Sequence, residues 1–162
     1  MNPRDKNNKL KIVLSVGDES GIGPEIILKA LYSNEIPKNI EFILVGSKKI
    51  LQNTYSHLRS LGLKEIANPR NLNIDDLEIF PSDSNHKSNY GNSSFYYLTR
   101  AIEIVKQYPN SALVTGPICK KSWSLAGHYF SGQTEVLAES CGVKNVGMLF
   151  TAKSPITGWR FN

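Results

Sequence analysis

The sequence predicts an α/β protein in which short buried strands alternate with longer helices. Runs rich in β-branched residues are each followed by a stretch with helical periodicity, which is the pattern of consecutive βα units. The 162 residues and the apolar content of 40% are enough to bury a core. No low-complexity tract and no repeat of fixed period interrupts the alternation.

The first two βα units are the most regular part of the sequence. Leu10 to Val16 is predicted as a buried strand, and Pro24 to Tyr32 as the helix after it. A second strand is predicted over Glu41 to Val45 and a second helix over Lys48 to Leu61. Gly62 then occupies the position that favours a left-handed helix cap.

The middle of the chain combines a surface excursion with the best helix. Asn68 to Asn92 is rich in Asn, Asp, Ser and Pro, and only Leu77 to Phe80 is typical of a strand there. Ser93 to Tyr108 is predicted as a helix because its apolar residues recur at spacings of three and four. Those residues are Phe95, Leu98, Ile102 and Val105.

The last third continues the alternation with shorter elements. The pattern predicts strands over Ala112 to Thr115 and Val146 to Phe150, and helices over Lys120 to Ala126 and Thr134 to Cys141. Ile156 to Phe161 resembles the start of a further strand. A chain that stops inside a strand indicates a truncation, so we expect a truncated βα-alternating sheet.

The charge distribution gives little support to a nucleic-acid partner. The 19 Lys and Arg against 14 Asp and Glu leave a net charge of +5 that is spread along the chain. The one basic cluster near an end is Lys6, Lys9 and Lys11, which is predicted as a solvated, frayed terminus. Nucleic-acid binding needs a concentrated basic stripe or stacking aromatic residues, and the sequence contains neither.

The cysteines and the first residues favour a cytoplasmic protein. Cys119 and Cys141 have no nearby Cys or His at metal-site spacing, so they are predicted as reduced, partly buried thiols. The first apolar run ends at Gly17 and Asp18 without a small-residue cleavage site, which argues against a signal peptide. No stretch has the length and hydropathy of a membrane span, so no membrane partner is expected.

A glycine-rich loop, GDESGIGPE from Gly17 to Glu25, joins the first strand to the first helix. Phosphate often binds at this place in α/β proteins. However, Ile26 stands where the dinucleotide fingerprint needs a third glycine, and no Gly-Lys-Ser/Thr follows as in a P-loop. The carboxylates of Asp18, Glu19 and Glu25 would also repel a phosphate. A turn and helix start is the favoured interpretation, and contact with a cofactor or substrate is the alternative.

Two further motifs lie close together, ALVTGPICK from Ala112 to Lys120 and FSGQTE from Phe130 to Glu135. Each has a plain structural interpretation when it is taken alone. Thr134 would be a helix N-cap, Gly132 a turn residue and Lys120 a solvated helix residue.

Together the three motifs resemble those of the 4-hydroxythreonine-4-phosphate dehydrogenase family, which run close to GDPAGIGPE, ALVTGPxxK and F-x-GHTE. They occur here in the same order and at compatible spacing. The resemblance implies a fold similar to isocitrate and isopropylmalate dehydrogenases, with an active site between two α/β domains and completed by the second subunit of a homodimer. It covers only the first half of a family member, so the metal- and NAD-binding portion is expected to be absent from residues 1–162.

The resemblance also implies a reaction. Family members use NAD or NADP to oxidise 4-phosphooxy-L-threonine, and the oxo acid that forms loses carbon dioxide on the route to pyridoxal phosphate. A divalent metal ion (Zn, Mg or Co) assists. Two alternatives stay open, a paralogue that acts on phosphorylated threonate or erythronate, and a catalytically inactive fragment.

Carried over residue by residue, the substrate-binding histidine and threonine of the family fall on Gln133 and Thr134. Thr134 keeps its hydroxyl, whereas Gln133 replaces an imidazole by a neutral amide that donates a hydrogen bond but cannot pair with an anion. Weaker substrate binding is one expected outcome of this change, and a subgroup in which glutamine serves is the other and the favoured one. No catalytic residue can be named.

The metal-binding histidines of the family are expected beyond Asn162, and no residue of this chain matches a cofactor-binding or metal-binding position. His57, His86 and His128 do not align with the family's ligands and are predicted as surface or loop histidines. We expect the 162-residue chain alone to be inactive. We also expect it to be poorly soluble or molten, because an incomplete sheet exposes edges and apolar helix faces.

Overall fold

The computed structural model describes residues 9–37, 39–77 and 86–161. The chain divides into a larger unit that ends at Phe130 and a smaller unit that begins at Ser131.

The larger unit is built on a sheet of four parallel strands. The strands are β1 (Leu10–Ser15), β2 (Ile40–Gly46), β3 (Ile74–Asp76) and β4 (Ser111–Thr115). Their order across the sheet is β3-β2-β1-β4, so the chain first moves outward from β1 to β3 and then returns to the other side of β1. The α/β fold with parallel strands that the alternation predicts is confirmed.

Five helical segments connect or follow these strands. They are α1 (Gly23–Ala30), α2 (Lys48–Ser60), a 3₁₀ turn (Pro69–Asn71), α3 (His86–Gln107) and α4 (Lys120–Leu125). α1 packs beside α2, and α3 packs on β1, β2, β4 and α4. Because connections between parallel strands are right-handed, the outward and returning crossovers lie on opposite faces of the sheet.

The core of the larger unit comes from the two central strands and the inner sides of the helices. Strand residues buried on both faces explain the near-continuous apolar runs of β1 and β2. The buried cluster consists of Val13, Leu14, Val16, Ile27, Leu28, Ile43, Leu44, Val45, Leu51, Leu58, Ile66, Tyr97, Ala101 and Ile104.

Helix α2 has well-formed ends. The Ser47 hydroxyl accepts a hydrogen bond from the Ile50 amide at 3.3 Å at the start of the helix. At its end Gly62 has φ of +87°. The Gly62 amide donates to the Arg59 carbonyl and the Leu63 amide to the Leu58 carbonyl, which is a Schellman cap. The predicted left-handed cap is confirmed.

The smaller unit contains one helix and a short hairpin. Helix α5 spans Gln133–Ser140, and β5 (Ala152–Lys153) pairs with β6 (Arg160–Phe161) in antiparallel fashion. The predicted strand over Val146 to Phe150 is wrong, since these residues are exposed and lie outside any strand. Of the predicted run from Ile156 to Phe161 only its end is a strand, because the preceding residues form the turn of the hairpin.

The surface excursion is shorter than predicted. The strand there is Ile74–Asp76, directly before Leu77, and residues 78–80 of the predicted strand lie outside the described residues. β3 is a strand because it pairs with β2, although its sequence is polar. The side chains of Asp75 and Asp76 both have polar partners. Asp75 binds Arg100 at 2.7 Å, and Asp76 accepts from the Lys48 amide at 2.8 Å.

Helix α3 begins well before the predicted start at Ser93. The early turns are polar in sequence, yet Gly91, Ser93 and Ser94 are buried. A Cβ atom at Gly91 would lie 2.0 Å from the Ser122 carbonyl oxygen. Close packing of α3 on α4 therefore selects small residues, which an apolar periodicity does not detect.

Three smaller expectations also need correction. Lys11 is not part of a frayed terminus, because it lies in β1, pairs with Glu41 at 2.5 Å and sits 4.9 Å from the centre of the Tyr108 ring. Both cysteines are free thiols; Cys119 is half-buried as predicted, but Cys141 is exposed. No helix within the described ranges is long and apolar enough to cross a membrane.

Candidate functional site

The glycine loop after β1 and the TGP loop after β4 meet at one edge of the sheet. The Asp18 amide donates to the Pro117 carbonyl at 2.8 Å, and the Gly116 amide donates to the Ser15 carbonyl at 2.8 Å. β1 and β4 are adjacent strands, and the strand order β3-β2-β1-β4 changes direction between them. Such a topological switch point at the carboxyl ends of parallel strands is where α/β proteins bind ligands.

Two glycines allow the loops to approach this closely. Gly17 has φ of +77°, and a Cβ atom there would lie 2.3 Å from the Pro117 carbonyl oxygen. A Cβ atom on Gly116 would lie 2.3 Å from the Val16 carbonyl oxygen. Both distances are far below van der Waals contact, so the two motifs carry glycine for backbone packing against each other.

Two carboxylates of the glycine loop have polar partners within the loop and α1. Asp18 is buried, and its Oδ1 accepts from the Ser20 amide at 2.9 Å and from the Ser20 hydroxyl at 2.7 Å. Glu25 pairs with Lys29 one helical turn later at 2.5 Å. The favoured interpretation of this segment as a turn and helix start is in keeping with these contacts. α1 begins at Gly23, with Pro24 in its first turn.

Tyr97 links α3 to the glycine loop. Its buried hydroxyl donates to Glu19 Oε2 at 2.9 Å. Burial of the ring raises the pKa of Tyr97 far above its ordinary value, and the negative charge of Glu19 raises it further. The phenol therefore stays protonated and holds the Glu19 carboxylate against α3.

The second motif leads from β4 into α4. Cys119 is the N-cap residue of α4, and a hydrogen bond from the Ser122 hydroxyl, supported by the Ser122 amide, lowers the pKa of the Cys119 thiol. Lys120 is exposed at the first position of the helix, in agreement with its interpretation as a solvated residue. Trp123 is fully buried and its indole N–H donates to Ser94 Oγ at 2.7 Å, which fixes α4 on α3.

A cluster of aromatic rings holds the segment that follows α4. The His128 ring stacks on Phe95 with centroids 3.8 Å apart, and Phe130 stacks on Phe95 at 5.7 Å. His128 Nε2–H donates to Asn92 Oδ1 at 3.0 Å. Burial lowers the pKa of His128. His128 is thus a loop histidine as predicted, but one packed into the fold.

The other two histidines differ from His128. His57 is exposed on α2, and His86 is the first residue of α3. No group of three His, Cys, Asp or Glu residues within the described ranges is arranged to hold a metal ion.

Gln133 and Thr134 lie together in the first turn of α5 and are both half-buried. Gly132 is the N-cap residue of this helix, with extended backbone, so Thr134 is not the cap. The Thr134 hydroxyl is 3.7 Å from Met148 Sδ, the length of a weak hydrogen bond to sulfur. Sequence reasoning named these two residues but missed Tyr97 and the packing of His128, whose partners are distant in sequence.

Comparisons with known proteins identify the family of the chain. Residues 38–157 match the family model described as pyridoxal phosphate biosynthetic protein PdxA. A 4-hydroxythreonine-4-phosphate dehydrogenase of Nostoc sp. is 41% identical over 157 residues, which cover 92% of this chain and 43% of the relative. The enzyme of the same name from Synechococcus sp. strain RCC307 is 41% identical and covers 94% of this chain and 46% of its own length.

The fold is similar to that of a solved structure with the same name as these relatives. The crystal structure of a 4-hydroxythreonine-4-phosphate dehydrogenase from Burkholderia phymatum superposes with a TM-score of 0.71 at 22% identity, over 86% of this chain and 46% of that one. The isocitrate and isopropylmalate dehydrogenase-like fold class is thereby confirmed. The chain spans about half the length of the relatives it matches, corresponding to their N-terminal half. The match to the family model, which covers most of the chain, establishes that the protein belongs to the PdxA family of pyridoxal phosphate biosynthetic proteins.

Proposed function

We propose that this chain forms the N-terminal half of an NAD(P)-dependent 4-hydroxythreonine-4-phosphate dehydrogenase that acts in pyridoxal phosphate biosynthesis. The observation that carries the proposal is the meeting of the Gly17 loop and the Gly116 loop at the switch point between β1 and β4. In a member of the PdxA family, two motif loops packed on each other at this edge form one wall of a substrate cleft.

Gln133 and Thr134 are the proposed substrate-binding residues. Both lie in the first turn of α5, where the helix dipole favours negative charge on a ligand. The Thr134 hydroxyl can donate to a substrate oxygen or accept from a hydroxyl, and the Gln133 amide can donate without a charge of its own. Because Glu135 lies in the same turn, hydroxyl and carboxylate oxygens suit this end better than a dianionic phosphate.

We also propose a nicotinamide cofactor, which would accept the hydride that a dehydrogenase removes from its substrate. Its phosphates do not suit the Gly17 loop, because Asp18 and Glu25 lie there and a third glycine is missing. The described residues also do not fit a divalent metal ion. A divalent metal ion (Zn, Mg or Co) therefore remains a prediction, and its ligands would come from outside this chain. A homodimer and a cytoplasmic location also remain predictions.

Turnover by complementation tests the proposal. The purified 162-residue chain is assayed for reduction of NAD and NADP, alone and mixed with the part of the Nostoc relative that lies beyond the matched region. We expect turnover of 4-hydroxythreonine 4-phosphate with a divalent metal only in the mixture. A preference for phosphorylated threonate or erythronate would favour the alternative of a paralogue that acts on those substrates. A mixture that turns over none of these substrates would favour the alternative of a catalytically inactive fragment.

Variants of Thr134 connect the activity to the proposed site. Loss of a hydrogen bond to a charged substrate oxygen costs about 1.5–3 kcal/mol, so Thr134→Ala should lower kcat/KM of the complemented mixture by about 10-fold to about 150-fold. Thr134→Ser keeps the hydroxyl and should retain most of the activity. Thr151→Ala, an exposed threonine of the same unit, is the control. Equal activity of Thr134→Ala and Thr151→Ala would contradict the assignment.

A further inference from the structure

A polar groove lies between α2 and the 3₁₀ turn that precedes β3. Its volume is about 410 Å³. We call it the Arg70 groove, because within the described part of the chain Arg70 is the one charged residue of its lining. Most of the other lining residues offer amide or hydroxyl groups. The lining residues are Gln52, Asn53, Tyr55, Ser56, Asn68, Pro69 and Arg70.

The turn holds the backbone of Arg70 in place while its side chain is exposed. Pro69 is fully buried, and Asn68 Oδ1 accepts a hydrogen bond from the Arg70 amide at 3.0 Å. The guanidinium of Arg70 has no carboxylate partner within residues 9–37, 39–77 and 86–161. A guanidinium on a fixed turn, without an internal counter-charge, is well placed to pair with an anionic ligand.

The opposite side of the groove comes from one side of α2 and is neutral. Gln52 and Ser56 are one helical turn apart, and Asn53 lies beside them. Tyr55 is half-buried and packs partly against the core, so its ring is held in position. Amide and hydroxyl groups both donate and accept hydrogen bonds, which suits the hydroxyl groups of a ligand.

The charge of α2 favours an anion in the groove. No Asp or Glu occurs between Glu41 and Glu65. Asp76 meets α2 at Lys48, its first residue, before the groove begins at Gln52. The same stretch of sequence contains four cationic residues, which are Lys48, Lys49, Arg59 and Lys64. The potential around the groove is therefore positive, which attracts an anionic ligand.

The Arg70 groove is separate from the switch point. The 3₁₀ turn leads into β3 and so lies at the amino end of that strand. The Gly17 and Gly116 loops follow β1 and β4 and lie at the carboxyl ends of the parallel strands. A ligand in the groove would thus occupy the opposite edge of the sheet from the proposed substrate.

We propose that the Arg70 groove binds a small sugar phosphate. The planar guanidinium of Arg70 matches two phosphate oxygens, and a phosphate monoester carries close to two negative charges. The amides and the hydroxyl from α2 would bind the sugar hydroxyl groups. The volume is in the range of small-ligand sites, roughly 300–1,000 Å³, and inorganic phosphate would leave most of it to water. The inference does not depend on the proposed dehydrogenase activity.

Binding measurements on the 162-residue chain test the inference. The chain is labelled with a fluorophore at its amino terminus and titrated by microscale thermophoresis at nanomolar concentration. The probes are glucose 6-phosphate, glucose, glucuronate and inorganic phosphate. We expect glucose 6-phosphate to bind more tightly than each of the others, because it alone supplies both the dianion and the hydroxyl groups.

Two arginine variants separate the groove from a general attraction of anions. Arg70→Gln should weaken glucose 6-phosphate binding by at least about tenfold, since hydrogen bonds to a charged group are the stronger ones. Arg70→Lys keeps the charge without the planar fork and should give an intermediate affinity. Arg59→Gln is the matched control, because it removes the same charge from α2 outside the groove lining, and it should change the affinity much less.

Circular dichroism should show that the three variants keep the helical content of the unchanged chain. Failure of the folded chain to bind glucose 6-phosphate at millimolar concentration would overturn the inference. Equal losses for Arg70→Gln and Arg59→Gln would also overturn it, and so would binding of inorganic phosphate or glucuronate as tight as that of glucose 6-phosphate. Binding with the expected variant pattern, in a chain whose complemented mixture shows no turnover, would support this inference and refute the proposed function alone.

Discussion

At the scale of single residues, Tyr97 and His128 make structural contacts although neither lies in one of the three motifs. Tyr97 holds Glu19 from α3, and His128 is locked between Phe95 and Asn92. The predicted apolar face of α3 named Leu98 and Ile102 correctly as buried. It did not include Tyr97, because an aromatic residue with a hydroxyl is equally typical of a surface position.

Removing the Tyr97 hydroxyl should weaken the larger unit. Tyr97→Phe keeps the packing of the ring and deletes the hydrogen bond to Glu19. The free energy of unfolding should fall by about 1 kcal/mol, measured by urea denaturation. Tyr96→Phe is the control, since the neighbouring ring is half-exposed, and should change stability by much less. Equal effects of the two variants would contradict a specific role for the Glu19 contact.

The half-buried His128 predicts a pH dependence of stability. Burial lowers the pKa of His128 below its ordinary value of about 6.5. The unfolded chain therefore takes up a proton at a higher pH than the folded chain, so stability falls as the pH decreases from about 6.5 towards the folded pKa. Urea unfolding at pH values from 7.5 to 5 measures this fall.

Two variants isolate the contribution of His128 from that of the carboxylates. His128→Phe keeps an aromatic ring against Phe95 and cannot take up a proton, so its stability should decrease less between neutral and mildly acidic pH. His57→Gln removes an exposed histidine and should follow the unchanged chain. If the pH profiles of all three proteins coincide, His128 does not carry the effect.

At the scale of secondary-structure elements, both ends of α2 were predictable, whereas α3 was predictable only at its end, where the predicted Tyr108 lies one residue beyond Gln107. A glycine after a periodic helix is a local signal, since the left-handed cap depends on the residue itself. The start of α3 depends on Gly91 and Ser94 fitting against α4, which is a contact between distant segments. The strand predicted from Leu77 missed β3 for the same reason, because β3 exists through its pairing with β2.

Gly62→Ala tests the cap of α2. A Cβ atom at Gly62 would meet no neighbour within 4 Å, so the only penalty is the φ of +87°. We expect a loss of about 1 kcal/mol in the free energy of unfolding. Gly147→Ala also adds its Cβ into open space, but without a positive φ, and should be neutral. A loss for Gly147→Ala as large as that for Gly62→Ala would exclude backbone strain as the cause.

At the scale of the whole molecule, apolar surface is exposed in both units. The larger unit exposes Ile26 and Val114, and the smaller unit exposes Met148, Leu149 and Phe150. Contiguous apolar patches of this kind normally mark contacts with other protein surfaces. The expectation that the isolated chain is poorly soluble or molten stays a prediction.

Dye binding and sedimentation check that prediction. The isolated chain should enhance the fluorescence of the dye ANS and self-associate at micromolar concentration. Phe150→Ser should reduce the association, whereas Tyr129→Ser, which changes an exposed aromatic residue of the larger unit, should not. A soluble monomer with a sharp cooperative melt and no dye binding would contradict it.

The sequence by itself determined the α/β class, the first two βα units, the family through its three ordered motifs, and Gln133 and Thr134 as candidate residues. These features depend on local periodicity, on turn chemistry and on short contiguous motifs, all of which are written in neighbouring positions. Only the tertiary structure decided that the Gly17 and Gly116 loops pack on each other, that Tyr97 holds Glu19 and that His128 stacks on Phe95. Those contacts join residues far apart in the chain, and their energies depend on packing and strand order rather than on the identity of either segment alone.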